Sequence, residues 1–354
     1  MKLKLSCFSI VNGAQTTSSL GLFLKAAKNN RDEESIEKLR KVFVLARILT
    51  IPTEEMRESI AIYNNTQNPI TSRDMVSNRE EQKTLNTWLL KEGLPSIYCE
   101  IRRGSQIPSD FNKRYVHRKT TNEELAQLAY AFFLPCPFTA KDKKSALFNN
   151  DYTQDSYIIN KIYHDIFSIE EGILFQKKKT EIDEALFVQQ LYKECKKYMK
   201  KRLVDRIENA RQQKDSETNP EKIKALDQRI TLNSQHLDTS GICMYYFLAL
   251  YAEFKEQYNY KNDALFDYDR YYSDSEFRNK MIKDASGLFL TQTVSVLVKT
   301  ATDAAKTANM NNWVRSQGCE PKFYDALRNE MASNMDLEDQ YHRFVDDYKT
   351  AVLH

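Results

Sequence analysis

The spacing of apolar positions changes character about a third of the way along the chain. Residues 3–11 and 42–51 are short apolar runs rich in β-branched side chains, and Ser96–Arg102 is a third. They predict strands, interleaved with helices over 14–28, 33–40, 53–64 and 79–91. From Thr121 onward Gly and Pro thin out and apolar positions recur at helical spacing. This predicts helices near 121–133, 154–167, 184–213, 221–236, 239–258, 274–283, 287–308, 321–332 and 335–351. Strands followed by a long run of helices predict an α+β class. The expected organisation is a small mixed α/β unit over 1–119 and a predominantly α-helical domain over 120–354. In the latter, the polar stretch Gln212–Pro220 separates Glu184–Arg211 from Glu221–His236, which predicts an antiparallel hairpin near 184–236.

Composition narrows the class. A chain of 354 residues, 41% hydrophobic, can bury one large core or two moderate ones. Only 8 Gly and 8 Pro argue against a β-sandwich or a disordered chain. Twenty Tyr and 18 Phe mostly fill cores, with some Tyr available to stack on bases. The net charge of +3 is too small to diagnose a nucleic-acid partner, so only local patches carry that argument. The six cysteines show no Cys-x-x-Cys and no His at zinc spacing, so they read as reduced structural thiols and no metal site is expected. No apolar run approaches 18 residues and no signal peptide is evident, which leads to the expectation of a cytoplasmic protein with no membrane contact.

Two polar segments carry candidate chemistry. In Ile10–Thr17 an apolar run stops at Asn12-Gly13 and a hydroxyl-rich helix start follows. Gly13 can take positive φ, and Thr16 with its neighbours can cap the free helix N–H groups, an arrangement suited to an anion. Asn12 and Gln15 could then read a base edge, a sugar or an amide. An ordinary capped turn is the alternative. The second segment holds Asn64, Asn65, Thr66, Gln67 and Asn68 after an amphipathic run. So many amides cannot all be buried without partners, since each would cost about 1–3 kcal/mol. We expect Asn12–Thr16, Asn64–Asn68 and Arg102–Arg103 to line one cleft, the alternative being a mutual hydrogen-bond network.

Cationic segments suggest where a polyanion would lie. Arg102, Arg103, Lys113, Arg114, Arg118 and Lys119 face a single acid, Asp110, with Tyr98, Phe111, Tyr115 and His117 interleaved. The stretch Lys193–Lys214 has nine Lys/Arg against Glu194, Asp205 and Glu208. There Tyr192, Cys195, Met199 and Leu203 share one face, and Lys196, Lys197, Lys200 and Lys201 spread over the other, towards water or nucleic acid. Catalytic patterns are thin. Asp183…Glu194-Cys195-Lys196 imitates a metal-dependent nuclease pattern but sits on a helical segment. The chain has no Gly-x-x-x-x-Gly-Lys-Ser/Thr loop, no Gly-x-Ser-x-Gly elbow and no paired His spacing. No cofactor is indicated.

Several of these segments together resemble the AIPR family, the abortive-infection phage-resistance proteins. The resemblance is carried by Ile10–Thr17, by Asn64–Ile70 with Asp74 and Ser77-Asn78, and by Glu100–Gly104. It continues through Leu125–Ala129, Ala146–Phe148 and Tyr163–Phe167. It implies an anti-phage defence protein, and the polar turn and amide cluster then suggest binding of nucleic acid or a nucleotide through the N-terminal core. The Asn12–Thr16 turn is also similar to the Asp-Gly-Gln-His-Arg-type turns of ParB-like domains, with Gln15-Thr16 where the His-Arg pair stands. That replacement favours binding over hydrolysis. Family members usually carry a long region before the Val-Asn-Gly-Ala-Gln motif, whereas here nine residues precede Ile10. The expectation is a shortened form or a separately encoded N-terminal partner. A non-catalytic helical module that senses a phage or host protein, or a homo-oligomer, stays open as the alternative.

Overall fold

The computed structural model describes residues 14–43, 53, 56, 76–77, 79–90, 96–102, 104–105, 107, 116–142, 148, 179–258, 265–304 and 309–350. Two compact units emerge, Met1–Thr71 and Ser72–His354. The first contains α1 (Ala14–Asn29) and α2 (Glu33–Arg40). The Asp32 carboxylate accepts the Ser35 N–H at 3.0 Å and starts α2. The chain reverses between them through Arg31, which stands in the left-handed region at φ 54°. The run at 3–11, most of that at 42–51, most of the helix expected at 53–64 and the helix expected at 154–167 fall outside the described residues.

The second unit begins with α3 (Glu80–Leu90), then β1 (Tyr98–Glu100), β2 (Lys119–Thr121), α4 (Asn122–Phe132) and α5 (Pro137–Asp142). Strands β1 and β2 pair in parallel, Cys99 opposite Thr120. Thr121 ends β2 and also starts α4, its hydroxyl accepting the Glu124 N–H at 3.1 Å. Leu85, Leu89, Ile97, Cys99, Leu125 and Leu128 close one end of the core.

The longest element is α6 (Lys179–Ser216), followed by α7 (Pro220–Ile242). Asn219 caps α7 by accepting the Glu221 N–H at 2.9 Å, and Pro220 occupies the first turn, where a missing N–H costs nothing. Tyr192 donates to the Ser240 carbonyl at 2.7 Å, Lys196 to that of Gly241 at 3.0 Å, and Lys214 pairs with Asp227 at 2.6 Å. The end of α7 thus meets the middle of α6, and the first half of α7 meets the end of α6, so the two helices run antiparallel.

Helix α8 (Met244–Gln257) is apolar on nearly every side and lies at the centre, with Tyr246–Tyr251 and Phe254 buried. After it come β3 (Leu265–Phe266), α9 (Tyr268–Ser273), α10 (Ser275–Ala285), a π-helical segment (Ser286–Thr291) and α11 (Gln292–Asp303), and α4, α5, α6, the π segment and α11 pack against it. The chain continues through α12 (Met310–Val314), α13 (Cys319–Ser333), α14 (Asp336–Tyr348) and β4 (Lys349–Thr350), which pairs antiparallel with β3. The π segment has local causes. Thr291 Oγ1 donates five residues back to the Ser286 carbonyl at 2.8 Å, and Ser286 Oγ to that of Ile282 at 2.6 Å.

The molecule is mostly helical, and strand among the described residues is confined to the β1–β2 and β3–β4 pairs. The predominantly helical domain of the α+β expectation is seen; of the expected N-terminal unit, the described part of Met1–Thr71 is α1 and α2, the Ser96–Arg102 run gives a three-residue strand, and the other two expected strands fall mostly outside the described residues. Among the described residues β1 pairs with β2, and α3 and α4 pack beside it. The segments α5, α9 and α12, of five or six residues, were not foreseen because they are too short to display a helical period.

Phe289 touches three parts of the core, with ring centroids 5.1 Å from Tyr251, 5.1 Å from Phe344 and 6.0 Å from Phe254. Phe289→Ala should cost about 3–5 kcal/mol in urea unfolding. A loss below about 1 kcal/mol would mean that this aromatic cluster does not organise the helical unit.

Candidate functional site

Two charge-bearing arrangements stand out. The first is sealed in the interior. Ile182–Val188 is a buried stretch of α6 that nevertheless contains Asp183 and Glu184. Glu184 Oε1 accepts from the Tyr251 hydroxyl at 2.6 Å and from the Lys349 ammonium at 2.5 Å, and Oε2 accepts from Lys255. Lys349 also lies 4.7 Å from the Phe266 ring centroid and 5.3 Å from that of Tyr251. Burial alone would raise the Glu184 carboxyl, but Lys349 and Lys255 together outweigh it and hold the group down at about 2.

Asp183 lies beside it. Arg118 Nε donates to Asp183 Oδ1 at 3.0 Å, and His117 Nε2 sits 3.4 Å from the same oxygen. The other His117 nitrogen is 2.7 Å from the Tyr272 hydroxyl, and the ring stacks on Tyr268 with centroids 5.2 Å apart. Burial and the neighbouring Asp183 and Glu184 charges push the Tyr268 hydroxyl well above the ordinary tyrosine value. The result is a buried ionic knot that joins α6, α8, β4 and the segment before β2.

The second arrangement is an open cleft of about 700 Å³ bordered by α6, the end of α7, the α10–π junction and α14. Arg202, Arg206, Lys283 and Arg343 line it, with His236, over a floor that includes Leu203, Leu288 and Phe344. None of those four cations makes an ion pair among the described residues. Of the two carboxylates in the lining, Asp284 accepts the Tyr348 hydroxyl at 2.5 Å and Asp347 pairs with Lys280 at 2.8 Å. Burial, aided by Arg206, lowers the His236 imidazole below its ordinary value.

Asn12, Gly13, Asn64, Asn65, Thr66, Gln67, Asn68, Arg103, Lys113 and Arg114 lie outside the described residues. Gln15 and Thr16 fall in the first turn of α1. Arg102 opens a turn in which Ser105 N–H donates to its carbonyl at 3.2 Å, with Gly104 at φ 73°. Tyr98 and His117 are buried rather than displayed. Arg118 is turned inward onto Asp183 with its side chain 13% exposed. Lys196 lies along α7, bonded to Gly241, and Lys197 pairs with Glu194 at 2.9 Å, while Lys200 and Lys201 are exposed.

Asp183 and Glu194 are separated by eleven positions on one helix, about 16 Å, so they cannot share an ion. No group of three or more His, Cys, Asp or Glu able to hold a metal is present among the described residues. Cys195 and Cys243 are free thiols pushed up to about 12 by burial, which makes them poor nucleophiles. No helix among the described residues is long and apolar enough to cross a membrane.

The ionic knot escaped the sequence reading, yet it left a signal: adjacent acids inside the apolar run Ile182-Asp-Glu-Ala-Leu-Phe-Val188. Acids in such a setting are buried only when partnered. Glu184 titrates lower in the folded chain than in the unfolded one, so it adds stability above the unfolded carboxylate value. That contribution is lost as pH falls from about 5 towards 2. Glu184→Gln should therefore flatten the melting-temperature profile across that window. It should also destabilise the protein at pH 7 by about 3–5 kcal/mol by stripping the counter-charge from Lys255 and Lys349. An unchanged acid limb would contradict the assignment.

Comparison with known proteins places the chain. No curated protein and no solved structure matches it. The family model described as AIPR protein matches residues 1–315, nearly nine-tenths of the 354 residues. The chain belongs to the AIPR protein family, and that membership points to abortive-infection phage resistance.

Proposed function

We propose that this AIPR protein defends against phage by binding nucleic acid along the outer face of α6, without reading base sequence. The observation that carries the proposal is the geometry of that face. At about 100° per residue, Lys193, Lys197, Lys200, Lys201 and Arg211 fall within an arc of roughly 100°. All five are exposed. From Lys193 to Arg211 the stripe runs about 27 Å, long enough to follow several phosphates of one strand. The N-terminal groups Asn12, Gly13, Gln15 and Thr16, with Asn64–Asn68 and Arg102–Arg103, would supply amide and guanidinium groups to bases or phosphates in the same reading.

A second reading, a protein-interaction module, draws on a shallow groove of about 590 Å³ along α7 that contains Leu232, which is 48% exposed. The two readings differ in salt dependence. In fluorescence anisotropy with labelled single- and double-stranded oligonucleotides, Lys197→Glu, Lys200→Glu and Lys201→Glu combined should weaken binding alike for all sequences. The slope of log K against log salt should shrink by roughly 0.7–0.9 for each phosphate that is no longer neutralised. A flat salt response in the native protein, or no binding at low salt, would reject the nucleic-acid reading and leave the interaction module.

The N-terminal turn has its own test. Gln15→Ala should abolish phage protection in plaque assays while the melting temperature stays within a few degrees, since alanine in the first turn of α1 keeps helix propensity. Full protection by the folded variant would remove the turn from the site.

A further inference from the structure

The cleft on the opposite side of α6 is not part of the nucleic-acid stripe. On the helical wheel Arg202 and Arg206 point about 180° from the Lys197–Lys201 face. They meet Lys283 from α10 and Arg343 from α14 across a concave surface. Like charges drawn from three helices repel one another, and a protein normally relieves this with carboxylates. Here Asp284 and Asp347 are engaged by Tyr348 and Lys280, so the lining keeps four cations against two acids. An anionic ligand would supply the missing charge, and arginine forks suit phosphate oxygens.

The rest of the lining calls for more than phosphate. Leu203, Leu288 and Phe344 give an apolar floor, and the Tyr198 ring stands at the edge with the Arg202 guanidinium 5.5 Å from its centroid. Such surfaces accept the flat face of a base. His236, held towards its neutral form, can donate and accept hydrogen bonds with a sugar or base edge. A volume of about 700 Å³ falls within the range of small-molecule pockets. The π segment borders the cleft at Ser286–Leu288, and π segments recur at functional sites. A side chain added at Gly287 would meet open space.

We propose that this cleft binds a nucleoside phosphate, with Arg206, Arg343, Lys283 and Arg202 on the phosphates and the apolar floor beneath the base. It is a small-molecule site on the same helical unit as the nucleic-acid stripe, independent of it.

The test uses the full chain and isothermal titration calorimetry with ATP, GTP, CTP and UTP in turn, beside adenosine and inorganic phosphate. At least one triphosphate should saturate at one per chain, and adenosine and phosphate should each bind at least tenfold more weakly. Arg206→Glu with Arg343→Glu should lower the affinity at least tenfold. Lys197→Glu, Lys200→Glu and Lys201→Glu combined should leave it within twofold, which separates this site from the nucleic-acid stripe. Should the arginine variant fail to fold, Gly287→Leu replaces it. That change narrows the cleft while favouring helix, so it should weaken binding at least tenfold with the melting temperature unchanged or higher. The proposal is overturned if no triphosphate saturates, if inorganic phosphate binds as tightly as the triphosphates, or if the folded arginine variant or the folded Gly287→Leu variant binds as tightly as the native protein.

Discussion

The helical unit depends on one buried carboxylate. Glu184 collects three donors, from Tyr251 and Lys255 on α8 and from Lys349 on β4, so a single side chain ties the longest helix to the central helix and to the last strand. None of these partners can leave cheaply. Removing either lysine would leave Glu184 with a single cation and an unfilled acceptor, and removing Glu184 would leave the buried Lys349 and the half-buried Lys255 facing each other without a counter-charge. Arg118 and Asp183 extend the knot to the segment before β2. Apolar packing around Phe289 and Tyr251 supplies driving force, but it is non-directional; the ion pairs fix which helix turns meet.

Lys349 lies beyond residues 1–315, the part that the AIPR model matches, yet its side chain is only 2% exposed and its strand pairs with β3. The segment that follows the family region is thus built into the core. The same segment brings α14, and with it Arg343, to the cleft beside α6. An interior electrostatic constraint and an outer cationic surface are in this way set by one stretch of chain.

Helix α6 serves two environments along its length. Its first half is buried around the Asp183–Glu184 pair, and its second half carries cations on two faces with Leu203, Ile207 and Ala210 buried between. The lysines on one face are splayed towards water, where they are strongly hydrated and mobile. The arginines on the other are held at the edge of a cavity with half-buried aromatic and apolar neighbours. Charges of the same sign therefore have different chemical uses: a diffuse stripe suits a polymer backbone, whereas a walled cluster suits a compact anion.

Helix existence and most boundaries after Thr121 were legible in the sequence, because apolar spacing and caps such as Thr121, Asn219 and Asp274 act within a few residues. The family, too, could be recognised from short motifs, which are local by nature. The short helices, the π segment inside the helix expected at 287–308, and the narrow extent of strand were not legible, since each depends on neighbours far along the chain. The same holds for the sites. Composition drew attention to Arg118 in one cationic segment and to Lys196, Lys197, Lys200 and Lys201 in another, but folding gives them different partners. Lys196 is laid on α7 and Arg118 is turned onto Asp183. Arg202, Arg206, Lys283 and Arg343 stand up to 141 positions apart, and only packing brings them to one cavity. Sequence by itself determined where helices start and how charge is distributed along each one. Tertiary structure decided which charges are buried, which are paired and which face a common space, because Coulomb energy and desolvation depend on distance and burial, and neither is a property of position in the chain.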